Sequence, residues 1–180
     1  MCVDIFDNTI MPGGESLNFA ATISRLTDAK VCIIGAVGND SYGKTVLDSI
    51  KDFNIDKTHI RTENGDTASN RTYLTPDGDR YYKEDSWNGG VFSSFALSAS
   101  DRELLHSSDM VHTTFSGPNF NDVIDCCREK RFPLSVDFDI CRDFDTIEKY
   151  LDCISLLFIS GDGPTLEKAK RLSSKYPNTV

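Results

Sequence analysis

Apolar and polar positions along the chain alternate between strand-like and helix-like spacing. Residues 31–38 form a continuous apolar run that ends at a glycine, which predicts one strand buried on both faces. Apolar residues at helical spacing in residues 17–26 predict a helix before this strand, and those in residues 41–53 predict another helix after it. A succession of helix, strand and helix predicts an α/β fold.

Residues 67–85 have a different pattern. They contain two β-prone runs on either side of Asp77-Gly78, which is a strong signal for a β-hairpin. The faces of these runs are polar and aromatic rather than aliphatic, so we predict a hairpin that projects from the core as a lid or an interface flap. The chain is thereby divided into an α/β core, residues 1–66 and 86–180, and an inserted β lid.

The second half of the chain returns to the α/β pattern. Ser98 and Asp101 have the spacing of a capping box, with Asp in place of Glu, and Pro164 is placed for the first turn of a final helix. Between these signals lie three strand-like runs, residues 109–115, 134–138 and 154–159, and one helical run, residues 119–130. The chain starts directly before a strand and stops where another strand is expected, so we expect it to be cut from a larger sheet at both ends.

Composition narrows the class of protein. The net charge is −9 and the basic residues are scattered, which argues against binding nucleic acid through its phosphates. No apolar run is long enough to span a membrane, and the start of the chain does not have the pattern of a signal peptide. The six cysteines include no CxxC pair, which favours free thiols in a reducing compartment. We therefore predict a soluble, cytoplasmic protein.

A carboxylate, two glycines and an amide lie close together near the start of the sequence. Asp4 is predicted at the end of a strand, where ligands of α/β sheets bind. Gly13 and Gly14 precede a helix that carries Asn18. A polyol needs such a mixture of donors and acceptors, so the sequence predicts a sugar site. A tight turn at the glycines and a helix cap at Asn18 are the alternative, structural interpretations.

Other candidates have competing explanations. The glycine pair lacks the spacing of GxGxxG and the Lys-Ser/Thr of a P-loop, which disfavours a dinucleotide-binding oxidoreductase. Asp40 follows a predicted strand, where it either caps the next helix or faces a ligand, and we favour the cap. Asn70 and Arg71 lie on the predicted hairpin, where Arg71 either clamps a substrate or only faces solvent. His112 lies inside an apolar strand and is interpreted as a core residue.

The sequence resembles the ribokinase-like (PfkB) family of carbohydrate kinases. Residues 13–20 resemble its first signature, and residues 37–43 resemble its strand-end Gly-Asp-Asp-x-x-Gly element. The predicted hairpin occupies the place of the family's substrate-covering lid. Residues 2–5 and 95–98 look closest to the fructoselysine kinase branch. The resemblance covers essentially the whole chain, but only the N-terminal and middle part of the family fold.

The resemblance implies a fold, a reaction and a site. The fold is a three-layer ribokinase-like sheet with helices on both faces and a small β-hairpin lid. The reaction is ATP-dependent phosphorylation of a sugar or sugar–amine adduct, with ATP and magnesium as cofactors. Lids of this family often pair between subunits, which implies a homodimer through the hairpin. The residues that the resemblance assigns to the sugar pocket and its lid are Asp4, Gly13, Gly14, Asn18, Asn70 and Arg71.

Two departures from the family limit this expectation. The family places Asn-x-x-Glu after its equivalent of Ile159 to organise magnesium, and only Asp162 and Glu167 are candidate substitutes here. The catalytic Gly-x-Gly-Asp segment does not occur in these 180 residues, so no catalytic base is assigned and the nucleotide site is largely missing. We therefore expect the chain alone to be inactive. The alternative is a non-catalytic sugar-binding or interaction module from the same family.

Overall fold

The computed structural model describes residues 1–7, 9–138 and 143–179, which cluster into two compact units, Met1–Phe95 and Ala96–Val180. The strands of the first unit are β1 (Cys2–Phe6), β2 (Thr9–Gly13), β3 (Val31–Cys32), β4 (Gly35–Gly38), β5 (Ile55–Asp56), β6 (Ile60–Glu63), β7 (Ser69–Leu74), β8 (Arg80–Tyr81) and β9 (Trp87–Asn88). Its α-helices are α1 (Glu15–Leu26) and α2 (Ser41–Ser49). The second unit holds β10 (Val111–Thr114), β11 (Leu134–Asp137), β12 (Leu156–Phe158), α3 (Ala99–Ser107), α4 (Phe120–Glu129), α5 (Phe144–Ile147) and α6 (Gly163–Lys175).

A five-stranded sheet dominates the first unit. Its strand order is β2-β1-β7-β8, and β9 also pairs with β7. β1 and β7 are parallel, whereas the other pairs are antiparallel. The hairpin predicted around Asp77-Gly78 is confirmed, since Leu74 pairs with Arg80 and Gly78 takes a positive φ of 92° in the turn. The predicted lid thus shares a sheet with β1 and β2, and its boundaries stay a prediction.

The prediction of one strand over residues 31–38 is wrong. The run contains two short strands, β3 and β4, which pair in parallel with β5 and β6 respectively. Between β5 and β6 the chain turns, with the Ile60 N–H bonded to the Lys57 carbonyl at 3.0 Å. The turn in the partner segment separates the two ladders, so the apolar run is divided although its own residues are all compatible with a strand.

The core of the first unit is aliphatic. α2 packs against β1, β2 and β4, and α1 packs against β3 and β5. The buried cluster contains side chains of β1, β4, β5 and the two helices, and of residues next to these elements: Val3, Ile5, Leu17, Ala20, Ile33, Val37, Val46, Ile50 and Ile55. β1 therefore presents Val3 and Ile5 to the core, and its alternate residues face the other side of the sheet.

The strand-end element around Asp40 is a packing and capping device. The Asp40 carboxylate accepts hydrogen bonds from the Gly43 N–H at 2.8 Å and from the Thr67 N–H at 2.9 Å and hydroxyl at 2.6 Å. A Cβ on Gly38 would lie 2.2 Å from the Gly65 carbonyl oxygen, so this position tolerates only glycine. The predicted capping role of Asp40 is confirmed, because it occupies the N-cap position of α2.

The second unit is built on a parallel sheet in the order β10-β11-β12. The capping box at Ser98 and Asp101 is confirmed, with both of its hydrogen bonds formed, and Pro164 lies in the first turn of α6. His112 is half-buried on β10, and its Nδ1 lies 3.0 Å from the Ser135 hydroxyl. Burial lowers the pKa of His112, and the charge of Asp137 opposes that effect.

Two further expectations concern the cysteines and the membrane. In the described part of the chain no disulfide involves the cysteines, which are Cys2, Cys32, Cys126, Cys127 and Cys153. Within the described ranges, no helix combines the length and the apolar character that crossing a bilayer requires.

Candidate functional site

Four side chains form a row across the five-stranded sheet. Asp4 on β1 stands opposite Met11 on β2 and opposite Asn70 on β7, and Asn70 stands opposite Trp87 on β9. Register partners on neighbouring strands share a face, so these four residues lie side by side. Asp4 and Asn70 are half-buried in the middle of the row, whereas Met11 and Trp87 are 49% and 50% exposed at its ends. A polar centre between two apolar ends suits a ligand that has hydroxyl groups and carbon faces.

Asp4 was predicted at the carboxyl end of a strand. It lies in the middle of β1 instead, because pairing with β2 and β7 extends the strand to Phe6. No residue in the described ranges donates a hydrogen bond to the Asp4 carboxylate. Burial raises the pKa of this carboxyl, and the charge of Arg80 partly opposes the effect. A half-buried carboxylate without donors has a free capacity to accept hydrogen bonds from a ligand.

Positions 13 and 14 are glycine for different structural reasons. A Cβ on Gly13 would lie 2.4 Å from Oδ2 of Asp4, so the missing side chain leaves room for the carboxylate. Gly14 has a φ of 106°, a conformation that favours glycine, and it occupies the N-cap position of α1. The sequence-based alternative of a positive-φ turn therefore holds for Gly14, and Gly13 is explained by its contact with the Asp4 side chain.

Asn18 is the fourth residue of α1, at the end of its first turn. Its side chain is exposed, and its backbone N–H donates to the Gly14 carbonyl at 3.0 Å as part of the helix. Since Gly14 occupies the N-cap position, Asn18 is not the cap of this helix. Among the described residues its side-chain amide makes no hydrogen bond, to Asp4 or to any other group, so it is available to a ligand.

The structure separates the two residues predicted on the hairpin. Asn70 lies beside Asp4, but Arg71 is the next residue along β7, so its side chain projects from the opposite face. Arg80 was missed by the sequence-based prediction. It pairs with Leu74, which lies four residues after Asn70 and on the same face, so Arg80 projects from the Asp4 face. The hairpin register could have revealed this, because it alone decides the face of each residue on β8.

Tyr73 and Tyr81 of the hairpin lie on the face away from Asp4. The rings of Tyr73 and Tyr81 stack with their centroids 5.4 Å apart, and Nζ of Lys83 lies 4.1 Å from the Tyr73 ring centroid. Tyr81 and Tyr82 are 41% and 43% exposed. The homodimer expected through this hairpin stays a prediction.

The two candidate magnesium ligands have other partners. Oδ1 of Asp162 accepts hydrogen bonds from the Thr165 N–H at 3.3 Å and from its hydroxyl at 2.9 Å, which makes Asp162 the N-cap of α6. Glu167 is exposed and pairs with Lys170 at 2.8 Å. Residues five apart on a helix point in different directions, so the two carboxylates do not converge. No group of three His, Cys, Asp or Glu residues in the described ranges could hold a metal ion.

A cavity of about 520 Å³ lies in the second unit, and none of the predicted site residues lines it. It is lined by segments that include Pro133 and Ser155, which directly precede β11 and β12. The cavity is thus at the amino ends of these strands, whereas ligands of α/β sheets bind at the carboxyl ends. Its size alone does not make it the functional site.

Solved structures share this fold. The structure of Arabidopsis thaliana ribokinase complexed with ribose and ATP matches with a TM-score of 0.74 at 16% identity, over 96% of this chain and 66% of that chain. A sugar kinase of Pyrococcus horikoshii in complex with ATP matches with a TM-score of 0.69 at 16% identity, over 97% of this chain and 64% of that chain. The predicted fold class, a ribokinase-like α/β fold, is confirmed.

Sequence comparison identifies the family. The model of the pfkB family of carbohydrate kinases matches residues 5–162, so the chain belongs to that family. Two curated relatives are the fructosamine kinase of Bacillus subtilis, 28% identical over 85% of this chain and 53% of its own length, and the fructoselysine 6-kinase of Escherichia coli, 33% identical over 64% of this chain and 44% of its own length. The chain therefore spans about half the length of these relatives. The suspected family is confirmed.

Proposed function

We propose that this chain supplies the sugar-binding part of an ATP-dependent kinase that phosphorylates a sugar or a sugar–amine adduct. The observation that carries the proposal is the Asp4 carboxylate, which is half-buried, without a hydrogen-bond donor from the described residues, and accommodated by the absence of a side chain at Gly13. The names of the relatives, a fructosamine kinase and a fructoselysine 6-kinase, support a sugar–amine adduct.

The chemistry of the row fits this ligand class. The Asp4 carboxylate accepts hydrogen bonds from hydroxyl groups or from a protonated amine, and the Asn70 amide both donates and accepts. Met11 and Trp87 at the ends of the row pack against the carbon faces of a sugar. Asn18 adds a further amide at the start of α1. Arg71 is left out of the proposed site because its side chain projects from the other face of β7.

The cofactors of the proposed kinase are ATP and magnesium. ATP accompanies two of the solved structures with this fold, and when bound it supplies the phosphoryl group. The described residues do not fit a magnesium site, because Asp162 caps α6 and Glu167 pairs with Lys170. The function that we assign to this chain is therefore to bind and orient the sugar.

Binding by calorimetry tests the sugar site. We expect the chain to bind fructoselysine, and the isosteric substitution Asp4→Asn to weaken that binding at least about tenfold, since a charged acceptor is worth about 1.5–3 kcal/mol per hydrogen bond. Asp28→Asn is the matched control because Asp28 is an exposed aspartate in the loop after α1. Equal affinity of the wild type and Asp4→Asn would refute the assignment of Asp4.

A second assay addresses the reaction. We expect no ADP release from ATP and fructoselysine by residues 1–180 alone, because the Gly-x-Gly-Asp segment expected to provide the base does not occur in them. Robust turnover would show that this chain does more than bind the sugar. Tight sugar binding that does not change when ATP is added favours the alternative, a non-catalytic sugar-binding module.

A further inference from the structure

The sequence contains two Asn-Gly pairs, Asn64-Gly65 and Asn88-Gly89, and both asparagines are exposed. In such a pair the backbone nitrogen of the glycine can attack the side-chain amide carbon of the asparagine. Glycine favours this attack because it has no side chain to hinder the nitrogen and its backbone is permissive. The two pairs of this chain differ in the hydrogen bonds around the reacting atoms.

The first pair is held by the side chain of Asn39. The Gly65 N–H donates to Oδ1 of Asn39 at 3.2 Å, and Oδ1 of Asn64 accepts from Nδ2 of Asn39 at 3.1 Å. The Gly65 nitrogen must leave its hydrogen bond before it can reach the amide carbon of Asn64, and this costs free energy. Because both reacting groups are bonded to a third side chain, the pair is protected.

The second pair is arranged for the reaction. Oδ1 of Asn88 accepts from the Gly90 N–H at 3.1 Å, which folds the side chain back along the backbone towards the intervening Gly89 nitrogen. No described residue accepts a hydrogen bond from the Gly89 N–H. Attack by this nitrogen puts negative charge on Oδ1, where the Gly90 N–H already lies and stabilises it as an oxyanion-hole donor does.

We propose that Asn88 is a site of spontaneous deamidation, whereas Asn64 is not. The Gly89 nitrogen forms a bond to Cγ of Asn88, the bond from Cγ to Nδ2 breaks, and Nδ2 leaves as ammonia with the proton of the Gly89 nitrogen. A molecule of solvent water then opens the cyclic imide at either of its carbonyl groups. The products are aspartate and isoaspartate, and in isoaspartate the main chain runs through Cγ and is longer by one carbon atom.

The modified position lies beside the proposed sugar site. Asn88 follows Trp87, which pairs with Asn70 in the row across the sheet. Shortly after the pair the chain is held again, because the Val91 N–H donates to the Asp66 carbonyl at 2.9 Å. A longer main chain between two held points displaces the weaker one, and β9 is only two residues long. We therefore expect isoaspartate to shift Trp87 and to weaken sugar binding, a consequence that rests on the proposed function.

The test follows both asparagines in one sample. The wild-type chain is incubated in mildly alkaline water labelled with a heavy oxygen isotope, then digested and mapped by mass spectrometry. We expect labelled acid at Asn88 to exceed that at Asn64 at least about tenfold, since one hydrogen bond opposes the reaction at Asn64 and another assists it at Asn88. In concentrated urea, where both sets of bonds are lost, the ratio is expected to fall towards one.

Two variants of Asn39 test the reason for the difference. Asn39→Ala releases the Gly65 N–H and is expected to raise the conversion of Asn64 towards that of Asn88. Asn39→Asp is the matched control, because it keeps an acceptor for this N–H and is expected to leave Asn64 protected. Equal conversion of the two asparagines in the folded wild type, or protection of Asn64 that survives Asn39→Ala, overturns the inference.

Calorimetry with fructoselysine on samples before and after the incubation separates this inference from the proposed function. We expect the wild type to lose binding in proportion to its isoaspartate at position 88, and Asn88→Gln to keep its affinity because the larger ring that glutamine needs closes more slowly. Full affinity of a converted sample overturns the effect on the sugar site. If the fresh chain does not bind fructoselysine, the proposed function fails, and the peptide map still decides whether Asn88 is the site of deamidation.

Discussion

Replacing Thr67 with valine is expected to destabilise the first unit. Thr67 is 1% exposed, and its hydroxyl donates to Oδ1 of Asp40 at 2.6 Å and accepts from the Gly38 N–H at 2.9 Å. Valine keeps the shape of threonine but makes neither bond. The substitution removes two hydrogen bonds and leaves the buried Gly38 N–H without this acceptor, which together cost about 2–4 kcal/mol.

The free energy of unfolding that Thr67→Val loses is expected to depend on pH. Burial raises the pKa of Asp40, but the hydrogen bonds from the Thr67 side chain and from the N–H groups of Gly43 and Thr67 outweigh it, so the pKa is lowered. A carboxyl with a lowered pKa stabilises the fold above its unfolded-state pKa, and this contribution is lost as the pH falls through the folded-state pKa. The difference in the free energy of unfolding between the wild type and Thr67→Val is thus constant near neutral pH and smaller below about pH 4.

Urea denaturation followed by circular dichroism, at neutral pH and on acidification, measures both effects. Thr72→Val is the matched control, since Thr72 is 4% exposed on β7 and its hydroxyl has no hydrogen bond to any described residue. We expect the control to change the free energy of unfolding by less than about 1 kcal/mol. Equal losses in the two variants, or a loss at Thr67→Val that does not shrink in acid, would refute the reasoning.

Two further predictions concern the sugar site. Gly13→Ala places a Cβ 2.4 Å from Oδ2 of Asp4 and must displace the carboxylate. Calorimetry is therefore expected to show at least about tenfold weaker binding of fructoselysine. Unchanged affinity would contradict the proposed role of the Asp4 carboxylate. Burial raises the pKa of Asp4, so sugar binding is expected to weaken on acidification at a pH above the usual pKa of an aspartate. If the midpoint of this loss of binding lay at or below the usual aspartate pKa, the role of Asp4 as the charged acceptor would be contradicted.

Local signals in the sequence predicted the elements that depend on neighbouring residues. The capping box of Ser98 and Asp101, Pro164 in the first turn of α6 and the hairpin at Asp77-Gly78 each depend on a few adjacent residues, and the structure confirms all three. The division of residues 31–38 was not predictable in this way. It is set by a turn between β5 and β6, more than twenty residues further along the chain.

The candidate site shows the same division between local and distant information. Asp4, Gly13 and Gly14 were predicted from residue types and family resemblance, but the reason for a glycine at position 13 is the Asp4 side chain on the neighbouring strand, which leaves no room for a Cβ. The sequence analysis placed Arg71 in the pocket and did not consider Arg80. The choice between the faces requires the register of β7 and β8, which composition and spacing do not give.

The turn that joins β7 to β8 has a consequence for how related chains diverge. The turn residues between Leu74 and Arg80 are mostly exposed, and Gly78 has open space where a side chain would be. Insertion or deletion of a single residue there would cost little in packing. It would, however, shift the alternation of β8 by one residue and move the guanidinium to the other side of the sheet. In this segment the side of the sheet on which the arginine lies is set by the length of a loop as much as by the identity of a residue.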